Sequence, residues 1–197
     1  MSSGAIIESD LRAGRWDGAR LVLSAVDWSD ADAEPIVLVR GSFGAVALKD
    51  GAFTVALRGP TSVFDAAVGL ETSPACRASL GDRRCRVDLR GRAHRAGASV
   101  DGTSVTLGAS FADGIFAYGS LHWIDGPRAG IVERVLASAG TGVTLAEPVV
   151  LAGAHAVKIR EGCDRQLGTC RDRFANVMNF QGEPHLPGND LLTRIGG

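Results

Sequence analysis

The sequence predicts a mainly β chain in two portions. A β portion with short helices spans residues 1–75, and a small β-barrel or sandwich closed by a four-cysteine metal site spans residues 76–197. Three observations predict this. Beyond Arg92, apolar runs alternate with turn dipeptides at a spacing of about ten residues, which suits a small barrel or sandwich. Glycine is abundant, at 26 of 197 residues, as many tight turns require. The four cysteines form two pairs, Cys76/Cys85 with eight residues between them and Cys163/Cys170 with six, and the pairs bracket the β segment.

In order along the chain, residues 6–14 predict a short helix, with Ser9 or Asp10 as cap and Gly14 as its end. Residues 18–28 read as a strand with Leu21, Leu23 and Ala25 on one face, bracketed by Trp16 and Trp28 as core or rim aromatics. Residues 29–35 (SDADAEP) form an acidic, solvated loop. Residues 36–48 and 52–58 predict a hairpin turning at Lys49-Asp50-Gly51, because Asp-Gly supplies the positive φ of a tight turn. Gly41 and Gly44 predict a bulge in its first strand. Pro60 starts a predicted helix over 60–70, with Phe64, Ala67 and Val68 on one face.

The later strands are expected at 86–95, 103–110, 115–123, 130–138, 142–145 and 154–160. Asp101-Gly102, Asp113-Gly114, Asp125-Gly126-Pro127 and Ala139-Gly140 supply the turns. Tyr118, His122 and Trp123 sit together near one arm, and strand alternation accounts for them without a ligand. Residues 174–190, rich in Pro, Gly and Asn, predict an extended strap that wraps back along the cysteine site, with Phe174 and Phe180 as apolar anchors.

Charge is nearly balanced, at −1, so nothing argues for nucleic acid or for a membrane surface. No apolar run approaches the roughly 18 residues of a membrane span. Met1 is followed by Ser, Ser and Gly rather than a basic and then apolar leader, so the expected site of synthesis is the cytoplasm. No G-x-S-x-G, H-E-x-x-H, P-loop or G-x-G-x-x-G motif occurs. His94, His122, His155 and His185 are scattered. Caps and salt bridges account for Asp164, Asp172, Glu183 and Asp190 better than hydrolysis does. A Cys163–His185 nucleophile is conceivable, but it leaves the other three thiols unexplained. The chain reads as a non-enzyme.

Four thiols can meet as two disulfides, as a zinc site, as an iron–sulfur cluster, or as free buried cysteines. A reducing compartment disfavours disulfides. Zinc knuckles use tighter C-x2-4-C spacings, whereas cluster ligands are more varied in spacing. Seven arginines lie between Arg77 and Arg95, and Arg165, Arg171 and Arg173 flank the second pair. Guanidinium groups suit an anionic four-thiolate centre. A metal is therefore favoured, and zinc and iron–sulfur both stay open on the residues alone.

The end segment reads GCD…C…RF.N..NF.GEP..PG.D, through Gly162, Cys163, Asp164, Cys170, Arg173, Phe174, Asn176, Asn179, Phe180, Gly182, Glu183, Pro184, Pro187, Gly188 and Asp190. This pattern resembles the C-terminal signature of the tail-tip or baseplate hub proteins of long-tailed phages and gene transfer agents. The stretch DLRAGRWDGARLVLSAVDW looks like the same family, and the likeness covers nearly the whole chain. The cysteine spacing is also similar to that of the phage lambda member, known for an iron–sulfur cluster. The resemblance implies a [4Fe–4S] cluster on Cys76, Cys85, Cys163 and Cys170, with zinc as the alternative. It implies a structural hub protein of the tail tip, joining the distal tail protein to the fibre or central tip component and forming a homotrimer in the particle. Residues 1–75 would belong to a larger hub domain. The rival readings are a zinc-stabilised structural domain, a cell-wall hydrolase of the tail tip and a small redox protein.

Overall fold

A computed structural model of the chain describes residues 6–30, 32–49, 52–65, 69 and 71–185. It divides into two compact units, Met1–Leu70 and Glu71–Gly197.

The first unit is a three-stranded antiparallel sheet, β1 (Arg20–Ala25), β2 (Ile36–Lys49) and β3 (Ala52–Arg58), in the order β1-β2-β3. The expected hairpin is present, with Lys49 opposite Ala52; Asp50 and Gly51 of its turn lie outside the described residues. The register slips between Phe43 and Val46, at the bulge that Gly44 signals. Gly41 is needed for a different reason: a Cβ there would stand 2.5 Å from the carbonyl oxygen of Arg58. Trp16 stacks on Phe43 with ring centroids 6.0 Å apart, whereas Trp28 is 93% exposed.

Two helix expectations in this unit are corrected. The first helix, α1, is only Glu8–Arg12, and its cap is Ile7 with no side-chain hydrogen bond. Ser9 and Asp10 lie inside the helix instead, and Asp10 binds Arg15. The second is a 3-10 helix over Pro60–Asp65 that leaves Phe64 exposed; Ala67 and Val68 lie outside the described residues. Pro60 sets φ for a first turn, and none of the residues Pro60–Asp65 is buried, so packing gives this segment no apolar face.

The second unit is a closed barrel of β4 (Ala93–Phe111), β5 (Ser120–Trp123), β6 (Val132–Val149) and β7 (Ala154–Arg160), in the order β4-β6-β5-β7. Four strands close because β4 and β6 are long enough to serve twice. β4 pairs with β7 over Ala93–Ser99 and with β6 from Gly102 to Phe111. β6 pairs with β5 near its start and with β4 near its end. Asp101-Gly102 and Ala139-Gly140, expected as turns, lie within these long strands. Gly102 (φ 59°) and Gly140 (φ 55°) are left-handed, and the register shifts beside both, so they bend the strands without ending them. The expected strand over 86–95 exists only from Ala93 onward.

Alternate residues point inward. Leu121, Val135, Val157 and Ile159 are fully buried, with Val105, Leu107, Phe116, Trp123, Val143, Leu145 and Val149 around them. Each such side chain contributes about 1.5–3 kcal/mol relative to exposure. His94, Phe111 and Phe116 form an aromatic cluster with centroids 4.9 to 5.6 Å apart. The Asp113 carboxylate accepts from Gly140 N, and Asp125 accepts from Ala156 N, so two expected Asp-Gly turns tie loops to strands.

The chain leaves β7 through Glu161 and Gly162. There the backbones touch: a Cβ on Gly162 would collide with Ala117 O, Gly119 N and Tyr118 C, and one on Gly119 with Arg160 O. We expect Gly162→Ala to lower stability by ~3 kcal/mol, because backbone rather than a flexible side chain must give way. Thermal melts would show this, and a melting temperature equal to the parent's would contradict the close approach.

Candidate functional site

All four cysteines line one small enclosed cavity in the second unit, together with Ala78, Leu80, Val87, Phe174, Asn176, Asn179 and Phe180 among others. About 20 Å³ of it is open to the centre of a water molecule. The four thiols are unpaired as disulfides; Cys85 and Cys170 are buried, and Cys76 and Cys163 are half-buried. The two sequence-distant pairs therefore meet, and the strap expected after Cys170 runs along the same cavity. Among the described residues, no group of three or more His, Cys, Asp and Glu side chains has the arrangement of a site for one metal ion.

Each thiol is positioned by its own local device. Cys85 ends a loop organised by Asp82, whose carboxylate accepts from the backbone N–H of Ser79 (2.9 Å), Arg84 (2.8 Å) and Cys85 (2.7 Å). Those bonds hold the Asp82 carboxyl below its usual range, the bond from Cys85 most of all. The side-chain amide of Asn176 donates to Cys85 O at 2.6 Å and reaches its sulfur at 3.8 Å. Asn179 in turn donates to Asn176. Cys76 is fixed from both sides: its N–H donates to Arg165 O at 2.8 Å, and its sulfur accepts from Gln181 N at 3.4 Å.

Cys163 sits where β7 leaves the barrel, and its sulfur accepts from Arg165 N at 3.4 Å. Cys170 lies on the short helix α2 (Leu167–Asp172), steadied by Asp164, which accepts from Gln166 N and from the Thr169 hydroxyl. Burial pushes the Cys163 and Cys170 thiols up, and the neighbouring thiols push the same way. Such groups stay protonated unless a cation compensates them.

The strap is tied down by charge and by rings. The Arg77 guanidinium makes two 2.6 Å bonds to Glu183, and Ser73 N–H adds a third. Glu161 accepts from both Arg92 (2.9 Å) and Arg173 (2.7 Å). Both guanidinium groups lie 4.9 Å from the ring centre of Phe174, and Arg173 also donates to the carbonyls of Gly162 and Ile115. Phe174 and Phe180 are half-buried against the cavity, as expected of anchors. Asp164 is engaged by Gln166 N and the Thr169 hydroxyl, Asp172 by Arg171 and Glu183 by Arg77. His185 is exposed, and Asp190 lies outside the described residues. Sequence reasoning missed Asp82, Asn176 and Gln181 as positioning residues: Gln181 acts through its backbone N–H, and the side chains of Asp82 and Asn176 bind backbone groups whose placement spacing does not reveal.

The bonds from Arg77, and then from Ser73, hold Glu183 down at about 2 from its ordinary 4.5. A lowered carboxylate gives stability that is full above about pH 4.5 and is lost as pH falls toward 2. Across that window the melting temperature is expected to fall further in the parent than in Glu183→Gln. Parallel curves would mean that the clamp contributes nothing.

A family model described as "Baseplate hub protein, N-terminal attachment domain" matches residues 1–88. One described as "Phage conserved hypothetical protein BR0599" matches residues 114–190. No curated protein matches the chain. Among solved structures, a chain of the "Virion of native gene transfer agent (GTA) particle" is 39% identical over 98% of this chain and 70% of that one, with a TM-score of 0.79. With that identity and coverage, and with the resemblance seen in the cysteine-bearing end segment, the chain belongs to the baseplate hub family of phage and gene transfer agent tails.

Proposed function

We propose that the chain is a structural hub subunit of a phage-like tail tip, and that Cys76, Cys85, Cys163 and Cys170 hold a [4Fe–4S] cluster as its staple. One observation carries the cluster reading: thiols from either side of the barrel in sequence line a single enclosed cavity. The surroundings fit an anionic thiolate centre. Arg165 N, Gln181 N and the Asn176 amide point at three of the four sulfurs, as donors do around metal-bound thiolates.

The spacings of eight and six residues between paired cysteines are looser than the two to four of zinc knuckles, which favours a cluster over a single zinc. When bound, the cluster supplies four iron–thiolate bonds. The chain's own residues then keep the loop at Cys76–Cys85 and the helix at Cys170 in register with the end of β7. Because burial raises Cys163 and Cys170, loading releases protons and weakens as pH falls.

Attachment falls to the first unit in this reading. Val22, Leu23, Ile36 and Leu38 are all at least half exposed on its sheet, and Trp28 is bare. Exposed apolar side chains on a sheet with no covering layer among the described residues suit an interaction surface, and the matched attachment-domain description agrees. The sheet would contact neighbouring tail proteins, the distal tail protein and the fibre or central tip component, within a homotrimer built after synthesis in the bacterial cytoplasm.

Anaerobic purification is expected to give a brown protein absorbing near roughly 400 nm, with iron and labile sulfide at about four each per chain. Cys170→Ser should lose most of that iron and melt lower. Colourless protein with stoichiometric zinc would replace the cluster with zinc, and metal-free protein with four titratable thiols would end the staple reading. Separately, Ile36→Asp with Leu38→Asp should block incorporation into tail-like particles while the melt of the metal-bearing unit stays put. Normal incorporation would refute the attachment role of the sheet.

A further inference from the structure

The outer wall of the barrel carries a feature that neither the cysteine site nor attachment uses. Ser120 pairs across the sheet with Arg134 on β6 and with Arg160 on β7. His122, one step along the same face, pairs with Val132 and Lys158, and Lys158 lies opposite Arg95 on β4. Leu121, Trp123, Val157 and Ile159 point into the core, so these side chains point out. Ser120 Oγ and His122 Nε2 are 3.1 Å apart.

Ser120, Arg134, Lys158 and Arg160 thus line one groove of about 910 Å³, and the His122 imidazole borders it through its contact with Ser120. The acids on its wall are already engaged. Glu133 is bound by Arg128, Glu161 by Arg92 and Arg173, and Asp164 by Thr169 and Gln166. Among the described residues, no ion pair involves Arg134, Lys158 or Arg160. Like charges opposite one another repel, yet Lys158 faces Arg95 and Ser120 is flanked by two arginines. In a chain of net charge −1, this concentration of unpartnered positive charge calls for a counter-anion.

We infer that this groove is a binding site for a phosphate group, seated on Ser120 between Arg134, Arg160 and Lys158, with His122 at its edge. Arginine forks match tetrahedral oxyanions through paired hydrogen bonds, and the hydroxyl, the imidazole and Lys158 supply further donors. The chemistry is the same for a free phosphate and for a phosphate on a lipid headgroup. Burial and the charges of Arg160 and Lys158 lower His122 from its ordinary value; a bound anion opposes those charges and makes the imidazole a reporter.

The test follows the His122 ring resonances of the full chain by NMR at neutral pH. Separate titrations use inorganic phosphate, phosphatidylglycerol vesicles diluted in phosphatidylcholine, and polyglutamate. A saturable shift with phosphate, or with the vesicles alone, supports the site and names the source. Arg160→Ala and Lys158→Ala should each weaken binding by roughly tenfold, with unchanged melts, while Arg40→Ala should not. No saturable shift with phosphate or vesicles would overturn the inference. So would equal binding by an Arg134→Ala/Arg160→Ala double variant, and so would a response to polyglutamate alone, which would make the groove a seat for an acidic peptide.

Discussion

Everything at the far end of the chain depends on four sulfurs lining one hollow. The segments that carry them have little regular structure of their own. α2 spans Leu167–Asp172 and lacks a side-chain cap, and the 3-10 turn after it spans Val177–Asn179. Isolated helices of that length do not hold themselves together. The backbone is strained here as well: Arg86, Arg165 and Ala175 all have left-handed φ without being glycine, and each lies within a few residues of a cysteine. Such conformations persist only where the surroundings over-determine them. Hydrogen bonds accepted by Asp82 and donated by Asn176 and Gln181 supply part of that determination. A covalent centre joining the thiols would supply the rest, and it would explain why a loop-rich region encloses a cavity at all.

The barrel serves as the anvil for this arrangement. Its interior is ordinary, filled by alternate apolar residues of four strands, and its rim is specialised. Glu161 follows β7 and lies on the rim with two arginine partners from opposite sides of the cysteine region, one just before β4 and one after α2. Phe174 lies between the same two guanidinium groups. A carboxylate thus neutralises the pair while the ring takes their faces, so the strap is referenced to the barrel rim through charge and cation–π contact together.

The parts of this fold that the sequence disclosed are those set by local chemistry. Lys49-Asp50-Gly51 announced the hairpin, Asp113-Gly114 and Asp125-Gly126 announced real turns, and β7 fell on the expected residues 154–160. The errors came where one local signal has two structural outcomes. Asp101-Gly102 and Ala139-Gly140 carry a positive φ either in a turn or in a bend within a long strand, and only the closure of a four-stranded barrel selects the second. Phe64 was expected on one apolar face of a helix, yet it lies exposed on a 3-10 turn, because tertiary partners rather than pattern decide burial. At the site, the cysteines were visible as residue types. The donors around them were not, because Arg165 N and Gln181 N are backbone groups with no residue signature. The cationic wall escaped for a related reason: Arg134, Lys158 and Arg160 lie on two strands far apart in sequence, and only the register through Ser120 and His122 makes them neighbours.

The proposed phosphate groove and the thiol cavity are not independent. Leu80, Cys163 and Arg165 line both, so the turn from Cys163 to Arg165, together with Leu80, forms their common wall. Arg165 sits on that wall in a left-handed conformation, its side chain exposed toward the groove, its N–H on the Cys163 sulfur and its carbonyl on Cys76 N. A ligand that engaged the Arg165 guanidinium would act on a residue that fixes two of the four cysteines. An anion seated on Arg134, Lys158 and Arg160 alone would leave that residue in place. The distinction matters physically because a strained, doubly bonded residue has few alternative positions. The backbone of Arg165 is held at both its N–H and its carbonyl, so a shift of that turn moves the thiols with it, whereas the strand cations are carried by the barrel.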